Sequence, residues 1–314
     1  MTISKSNAAT PEWQEGIAKA QAIWREGVAQ GRLVERREPP QQLFLPGFDA
    51  EEVRAIPNHI ARSSLFAPIR RGRRKLYADE VLVSRADAKI NFWGYQLDEA
   101  DADVWLQAIK EAMRAPLGEA VTINRAEFLR QIGRNAGKTQ YEWLNESMHR
   151  LAFAMLTMTV RRKDGSVKTQ VGERPARGKE ELCFHLVQSW RLDEDDNTYE
   201  LTMDKQLLKF FTGREYGFLD WKKRLAITGR GTDLAKSLQR LLASSASIEQ
   251  KYSLEFLKGR AKSDGRMRDF RAILEKALQE LKQLGIIAGW RIEISTHGEE
   301  QAVIDLPIKQ ISTD

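Results

Sequence analysis

The stretch Gly133-Arg134-Asn135-Ala136-Gly137-Lys138-Thr139 holds the residue types that cradle a nucleotide phosphate: glycines, a lysine and a hydroxyl. Its spacing is wrong for that chemistry. A phosphate-binding loop puts four residues between its glycines and follows a buried strand, whereas three residues separate Gly133 from Gly137 and a helical pattern precedes them. The same residues suit a helix-turn-helix, with Gly133 and Gly137 in the turn and Lys138 and Thr139 opening a recognition helix whose first amides face a DNA phosphate. His59, His149, His185 and His297 are scattered, with no Cys, Asp or Glu at ligand spacing, so neither a metal nor a cofactor is expected. Asp193-Glu194-Asp195-Asp196-Asn197 lacks the glycine and distal glutamate of a calcium loop and reads as a solvated turn. Cys183, between Leu182 and Phe184, reads as a small buried hydrophobe in a strand. With no paired carboxylates and no activated nucleophile in view, the chain is not expected to be an enzyme.

Binding a polyanion has better support. Fifty Lys+Arg against 44 Asp+Glu leave a formal charge of +6, modest in sum but uneven along the chain. Basic residues gather in Arg70-Arg71-Gly72-Arg73-Arg74-Lys75, in Arg161-Arg162-Lys163 and from Lys258 to Arg271. Acidic ones gather in Asp98 to Asp103 and Asp193 to Asp196. With Leu144, Met148 and Leu151 inward, a step of about 100° per residue turns Glu142, Asn145, Glu146 and His149 outward, with Lys138 and Thr139 at the tip. Asn can pair with adenine and Glu can accept from cytosine in the major groove. From Arg266 to Leu284, inward Phe270, Leu274, Ala277, Leu278 and Leu281 leave Arg268, Asp269, Ala272 and Lys276 outward, with Arg266 and Arg271 on the flanks. Arginine is the usual reader of guanine, and a small Ala272 lets the backbone approach. Arg161, Arg162, Lys163 and Lys168 border a loop without an apolar anchor and suit phosphate contacts.

These side chains need elements to hold them. A chain of 314 residues is about two domains long. It has no apolar run near the roughly 18–20 residues of a membrane span, and Met1 to Lys5 lack a signal-peptide core, so a cytoplasmic protein without a membrane partner is expected. Thr10-Pro11-Glu12 opens a helix with Trp13, Ile17, Ala20, Trp24 and Val28 on one stripe, and Glu35 to Pro46 is an extended linker. Val81 to Leu97 resembles a hairpin, and Asp101 to Ala115 a helix. Asn124-x-x-Glu127 and Thr139-x-x-Glu142 have the form of capping boxes for the two helices that follow. Met155 to Arg162 and Glu181 to Leu192 then read as a hairpin with a long basic tip, a wing. Trp221 to Leu225, Asp233 to Ala243, Ser253 to Arg260 and Arg266 to Leu284 repeat the helical order, and Trp290 to Ile294 with Ala302 to Leu306 supply a second hairpin.

The predicted fold is therefore α+β: two tandem winged-helix domains, each a helix-turn-helix plus a β-hairpin wing, with an N-terminal helical appendage. The expected divisions are 1–57, 58–195 and 196–314. Two other functions share parts of this reading. One is a winged-helix transcriptional regulator on an operator; the other is a nucleotide-driven DNA-remodelling enzyme, which the Gly133 spacing argues against.

Several segments carry a resemblance. Ala55-Ile56-Pro57-Asn58-His59-Ile60-Ala61-Arg62-Ser63-Ser64-Leu65-Phe66 is the most specific, joined by Gly94-Tyr95-Gln96-Leu97, Pro116-Leu117-Gly118-Glu119, and Arg150-Leu151 with Ala154-Met155. In these the chain resembles the TrfA family of plasmid replication initiators. The resemblance implies paired winged helices that bind directly repeated duplex DNA at a plasmid origin, open the adjacent AT-rich DNA and help load the host replicative helicase. It also implies the host initiator and sliding clamp as partners, and a monomer–dimer equilibrium. The family's clamp motif has the form Q-L-x-L-F; Gln42-Leu43-Phe44-Leu45 fits it, and Pro46 stands where the family has Phe.

Overall fold

Asp98 opens a long helix of the first half: its carboxylate accepts the amides of Ala100 and Asp101, and Asp101 reciprocates to the Asp98 amide. This capping box starts the helix two residues before the expected Asp101. The structure, a computed structural model, describes residues 52–69, 74–84, 86–162, 165–171, 184–211, 215–229 and 231–307. The helix expected from Thr10, the segment Gln42 to Leu45, the run Arg70 to Arg73, Lys163 and Cys183 lie outside them. All described residues belong to one compact unit, Phe44–Asp314.

In chain order the first half holds β1 (Val53–Pro57), α1 (Asn58–Arg62), β2 (Leu76–Val81), β3 (Ala88–Tyr95), α2 (Glu99–Ala112), β4 (Ala120–Asn124), α3 (Arg125–Gln131) and α4 (Lys138–Phe153). Then come β5 (Met155–Arg161), β6 (Val167–Val171), β7 (Phe184–His185), β8 (Ser189–Asp193) and β9 (Thr198–Thr202). The second half holds α5 (Leu207–Phe211), β10 (Tyr216–Asp220), α6 (Trp221–Ala226), α7 (Thr232–Ala243), β11 (Glu249–Ser253), α8 (Leu254–Arg260), α9 (Met267–Gln283), β12 (Gly289–Ile294) and β13 (Glu300–Asp305).

Two runs of this list share one plan. In the second half, helix α7, strand β11, helices α8 and α9, and hairpin β12–β13 make a three-stranded sheet of order β11-β13-β12. In the first half, α2, β4, α3, α4 and hairpin β8–β9 make a sheet of order β4-β9-β8. Each is a helix-turn-helix with a β wing, so the fold is α+β with two winged-helix modules. Phe270, Leu274, Leu278 and Leu281 of α9 close on Leu234, Leu238 and Leu241 of α7 to form the core of the second module. Gly285, at φ 62°, ends α9 in a left-handed conformation that glycine adopts without strain.

The first wing is not where the apolar pattern placed it. Strand β5 pairs with β3 on one side and with β6 and β7 on the other, as the centre of a sheet of order β2-β3-β5-β6. Leu156, Thr157, Met158 and Val160 are all buried, and a strand buried in succession is a central strand, whereas a wing needs an open face. The wing of this module is β8–β9, joined by the turn Glu194 to Asn197, in which Asp193 Oδ1 accepts the amides of Asp195 and Asp196. The expected boundary between 195 and 196 falls inside that turn, and the module's sheet extends to Thr202. The expected appendage, 1–57, also overlaps the body. Its last residues form β1, which pairs antiparallel with β10 from Val53↔Asp220 to Pro57↔Tyr216.

Candidate nucleic-acid interface

Helix α9 turns its apolar stripe inward and leaves Arg268, Ala272 and Lys276 exposed on the opposite face, with the Arg268 side chain 81% exposed. Arg266 lies at the N-cap and pairs with Asp269 at 3.0 Å. Arg271 faces the wing: its Nη1 donates to Glu300 Oε1 on β13 at 2.5 Å and its Nε to Glu275 Oε1 at 3.1 Å. Arg271 thus braces α9 against the wing beside it.

On α4, Leu144, Ser147, Met148 and Leu151 are buried, and Lys138, Thr139, Glu142, Glu146 and His149 are exposed. Two of the expected base readers lean on the wing. The Tyr199 hydroxyl donates to Asn145 Oδ1. Burial pushes that hydroxyl up to about 12 although Arg125 beside it pulls the other way, so it remains a proton donor. His149 packs edge-on against Trp190 of β8, ring centres 4.9 Å apart. Helical geometry placed both residues outward; the wing strands, distant in sequence, fold under them. The capping box expected at Thr139 does not form. Gly137 occupies the N-cap without a side-chain bond, and Lys138 and Thr139 sit in the first turn. Asn124, by contrast, caps α3 by accepting the amides of Ala126 and Glu127. Gly133, at φ 75°, makes the turn between α3 and α4.

The basic hairpin β5–β6 carries exposed Arg161, Arg162 and Lys168. Arg161 donates to the Gly165 carbonyl at 3.0 Å, and Arg162 to the Val167 carbonyl at 3.0 Å, so both guanidiniums hold their own turn closed while facing solvent. Lys168 is paired with Glu215, which also takes His59 Nε2 at 2.8 Å. Among the described residues no group of three or more His, Cys, Asp or Glu could hold a metal ion, and no helix is long and apolar enough to cross a membrane.

Reading by sequence missed the joint between the two modules. Glu99 and Asp103 of α2, Arg224 of α6, and Arg240 and Arg260 of α7 and α8 are all buried. Asp103 accepts from Arg224 Nε at 2.5 Å and Lys236 Nζ at 2.6 Å. Burial opposes its ionisation, but those two cations outweigh it and hold the carboxyl below its ordinary range. The segment Ala55 to Phe66 threads this joint. Arg260 donates to the Ala61 carbonyl and Arg240 to the Phe66 carbonyl, each at 2.6 Å, and Arg62 reaches Ser244 Oγ at 3.0 Å. That run of residues was the one available signal, because nothing in its local pattern explains it.

The model of the family described as TrfA protein matches residues 41–293. The chain belongs to the TrfA family. The plasmid replication initiator protein TrfA of Escherichia coli is 23% identical over 247 residues, which cover 76% of this chain and 59% of that protein. The chain thus spans about three-fifths of that relative's length. A crystal structure of domains 2 and 3 of RctB is 14% identical, covers 81% of this chain and 99% of its own, and has a TM-score of 0.48. The Pi initiator protein in complex with iteron DNA is 15% identical over 67% of this chain and 95% of its own, with a TM-score of 0.44. Among the TrfA-family segments, Gly94 lies where a Cβ would meet Ala154 Cα at 3.1 Å, so β3 passes close under the end of α4. Arg150, in another, donates to Asp101 at 2.8 Å. These TrfA-family residues hold elements together.

Proposed function

We propose that this chain is a plasmid replication initiator that binds directly repeated duplex sites at an origin, helps open the neighbouring DNA and recruits host replication proteins. One observation carries the reading: a chain of the TrfA family presents Arg268, Ala272 and Lys276 together on the open face of a helix braced against a wing. Arg268 and Lys276 read base edges in the major groove, Ala272 admits the helix, and Arg266 with Asp269 sets its leading end. The first module contributes mainly phosphate contacts. Lys138 and Thr139 lie at the tip of α4, and Arg161, Arg162 and Lys168 on the basic hairpin, with Lys163 next in the chain after Arg162. The segment Gln42, Leu43, Phe44 and Leu45 docks on the host sliding clamp, and the host initiator and replicative helicase act at the same origin. The protein works in the cytoplasm without a catalytic step of its own, exchanging between monomer and dimer.

The test is footprinting of the full chain on DNA beside its own gene. Protection of direct repeats flanking an AT-rich stretch supports the reading. Protection of a palindrome across a promoter makes the protein a regulator, and ATP turnover by the purified protein makes it a remodelling enzyme.

A further inference from the structure

Glu99 and Asp101 stand on the first turn of α2 and grip different halves of the molecule. Asp101 Oδ1 accepts from Ser147 Oγ at 2.7 Å and from Arg150 Nη2 at 2.8 Å, both on α4, the recognition helix of the first module. Glu99 Oε1 accepts from Arg240 Nη2 at 2.5 Å, and its Oε2 from Arg240 Nε at 3.0 Å and Arg224 Nη2 at 3.1 Å. Arg240 is on α7, which packs directly on α9, the recognition helix of the second module. One turn of one helix is therefore joined by directional bonds to α4 on one side and to α7 on the other, and α7 carries α9 through the apolar core of the second module.

We propose that Glu99 is a positioning residue for DNA recognition: by clamping Arg224 and Arg240 it fixes α9 relative to α4 and so sets the separation between the two DNA segments the protein can engage at once. This rests on the proposed function above. Three observations support it. Glu99, Arg224 and Arg240 are all but sealed from water, so their bonds resist exchange with solvent. Glu99, Asp103, Arg224, Arg240 and Arg260 are all buried, and charge taken out of water in this way is costly for stability; fixing a single registry is the best-attested use of such buried charge. An apolar joint tolerates sliding, whereas a carboxylate taking two guanidiniums from two helices has one satisfactory arrangement. Two linked modules gain affinity only when geometry lets both engage, and one inserted base pair moves the second segment by about 3.4 Å and roughly 35°.

The experiment measures binding to a set of sites in which zero to five base pairs are inserted between the two segments the wild-type footprint protects. The wild type loses about tenfold or more in affinity on insertion of one or two base pairs. Glu99→Gln keeps the shape and removes the charge; its loss on the same insertions shrinks to within about threefold, and its binding to the parent site weakens. Lys236→Met, at the rim of the cluster, behaves in the same direction more mildly. Leu278→Ala, a cavity within the second module, lowers thermal stability but keeps the wild-type dependence on spacing. Folded Glu99→Gln and Lys236→Met proteins with the wild-type dependence overturn the proposal; if Glu99→Gln does not fold, Lys236→Met decides. A wild type that binds the repeats yet tolerates insertions also overturns it, whereas one that binds no repeats overturns the initiator reading instead.

Discussion

Arg271 on α9 donates to Glu300 on the adjoining wing strand at 2.5 Å, so helix and wing form one continuous surface. The pair is part-exposed, and pairs of that kind contribute about 0.2–1 kcal/mol to folding. Arg271→Ala and Glu300→Ala are therefore expected to leave thermal stability nearly unchanged. Specific affinity falls in both, and the double variant is no worse than Arg271→Ala. A double-mutant cycle on DNA binding measures this; additive losses would mean that Arg271 contacts DNA directly.

Arg268→Ala and Lys276→Ala are each expected to weaken specific binding by roughly 1–3 kcal/mol and relax sequence preference, because the proposed reading gives each one base-edge contact. Both side chains are exposed, so melting temperatures stay at the wild-type value. Competition with non-specific DNA separates the two effects.

Replacing Arg161 and Arg162 by Gln weakens binding to all sequences alike, and the slope of log K against log salt shrinks by about 0.9 per lost contact. A loss confined to the specific site, with the slope unaltered, would move this hairpin from the phosphates to the bases.

The depressed carboxyl of Asp103 makes an acid-stability prediction. A carboxyl whose folded value lies below its unfolded one contributes stability that is present above about pH 3.9 and lost as pH falls through the folded value. Asp103→Asn leaves Arg224 and Lys236 short of a partner, so it costs about 3–5 kcal/mol near neutral pH. It also flattens the decline of stability on acidification below about pH 4. Chemical denaturation between pH 3 and pH 7 reads both outcomes.

Leu43→Ala with Leu45→Ala is expected to abolish pull-down of the sliding clamp and to leave the DNA footprint intact, since the proposed docking segment would bind through these apolar side chains. Simultaneous loss of thermal stability and DNA binding would place these leucines in the protein's own core.

Periodicity made much of this architecture legible. Phe270, Leu274, Ala277, Leu278 and Leu281 repeat at three- and four-residue spacing, and the hairpin around His297 and Gly298 alternates, so α9 and its wing emerge from local pattern. Strand β4 leaves little trace in the sequence because it buries only Val121 and Ile123. The apolar pattern points to β5 as the first wing because β5 is more apolar than β8, but apolarity marks burial in a sheet and not exposure as a wing. The module joint was hidden for a different reason. Arginines 224, 240 and 260 look like surface residues until their acceptors, far off in sequence at Glu99, Ser237, Phe66 and Ala61, are known. The wing contacts of Asn145 and His149 are invisible in the local pattern for the same reason, since Tyr199 and Trp190 lie more than forty residues away, although His149 stays exposed as its helical position implies.

The most direct test of the central claim is hydroxyl-radical footprinting of the full chain on the DNA beside its gene, with wild type and Arg268→Ala compared at matched salt. The account predicts protection of direct repeats next to an AT-rich stretch, with each repeat covered on successive major-groove faces, and weakened protection of one face in the variant. Uniform protection without repeats, or a wild-type pattern that Arg268→Ala reproduces in full, would contradict it.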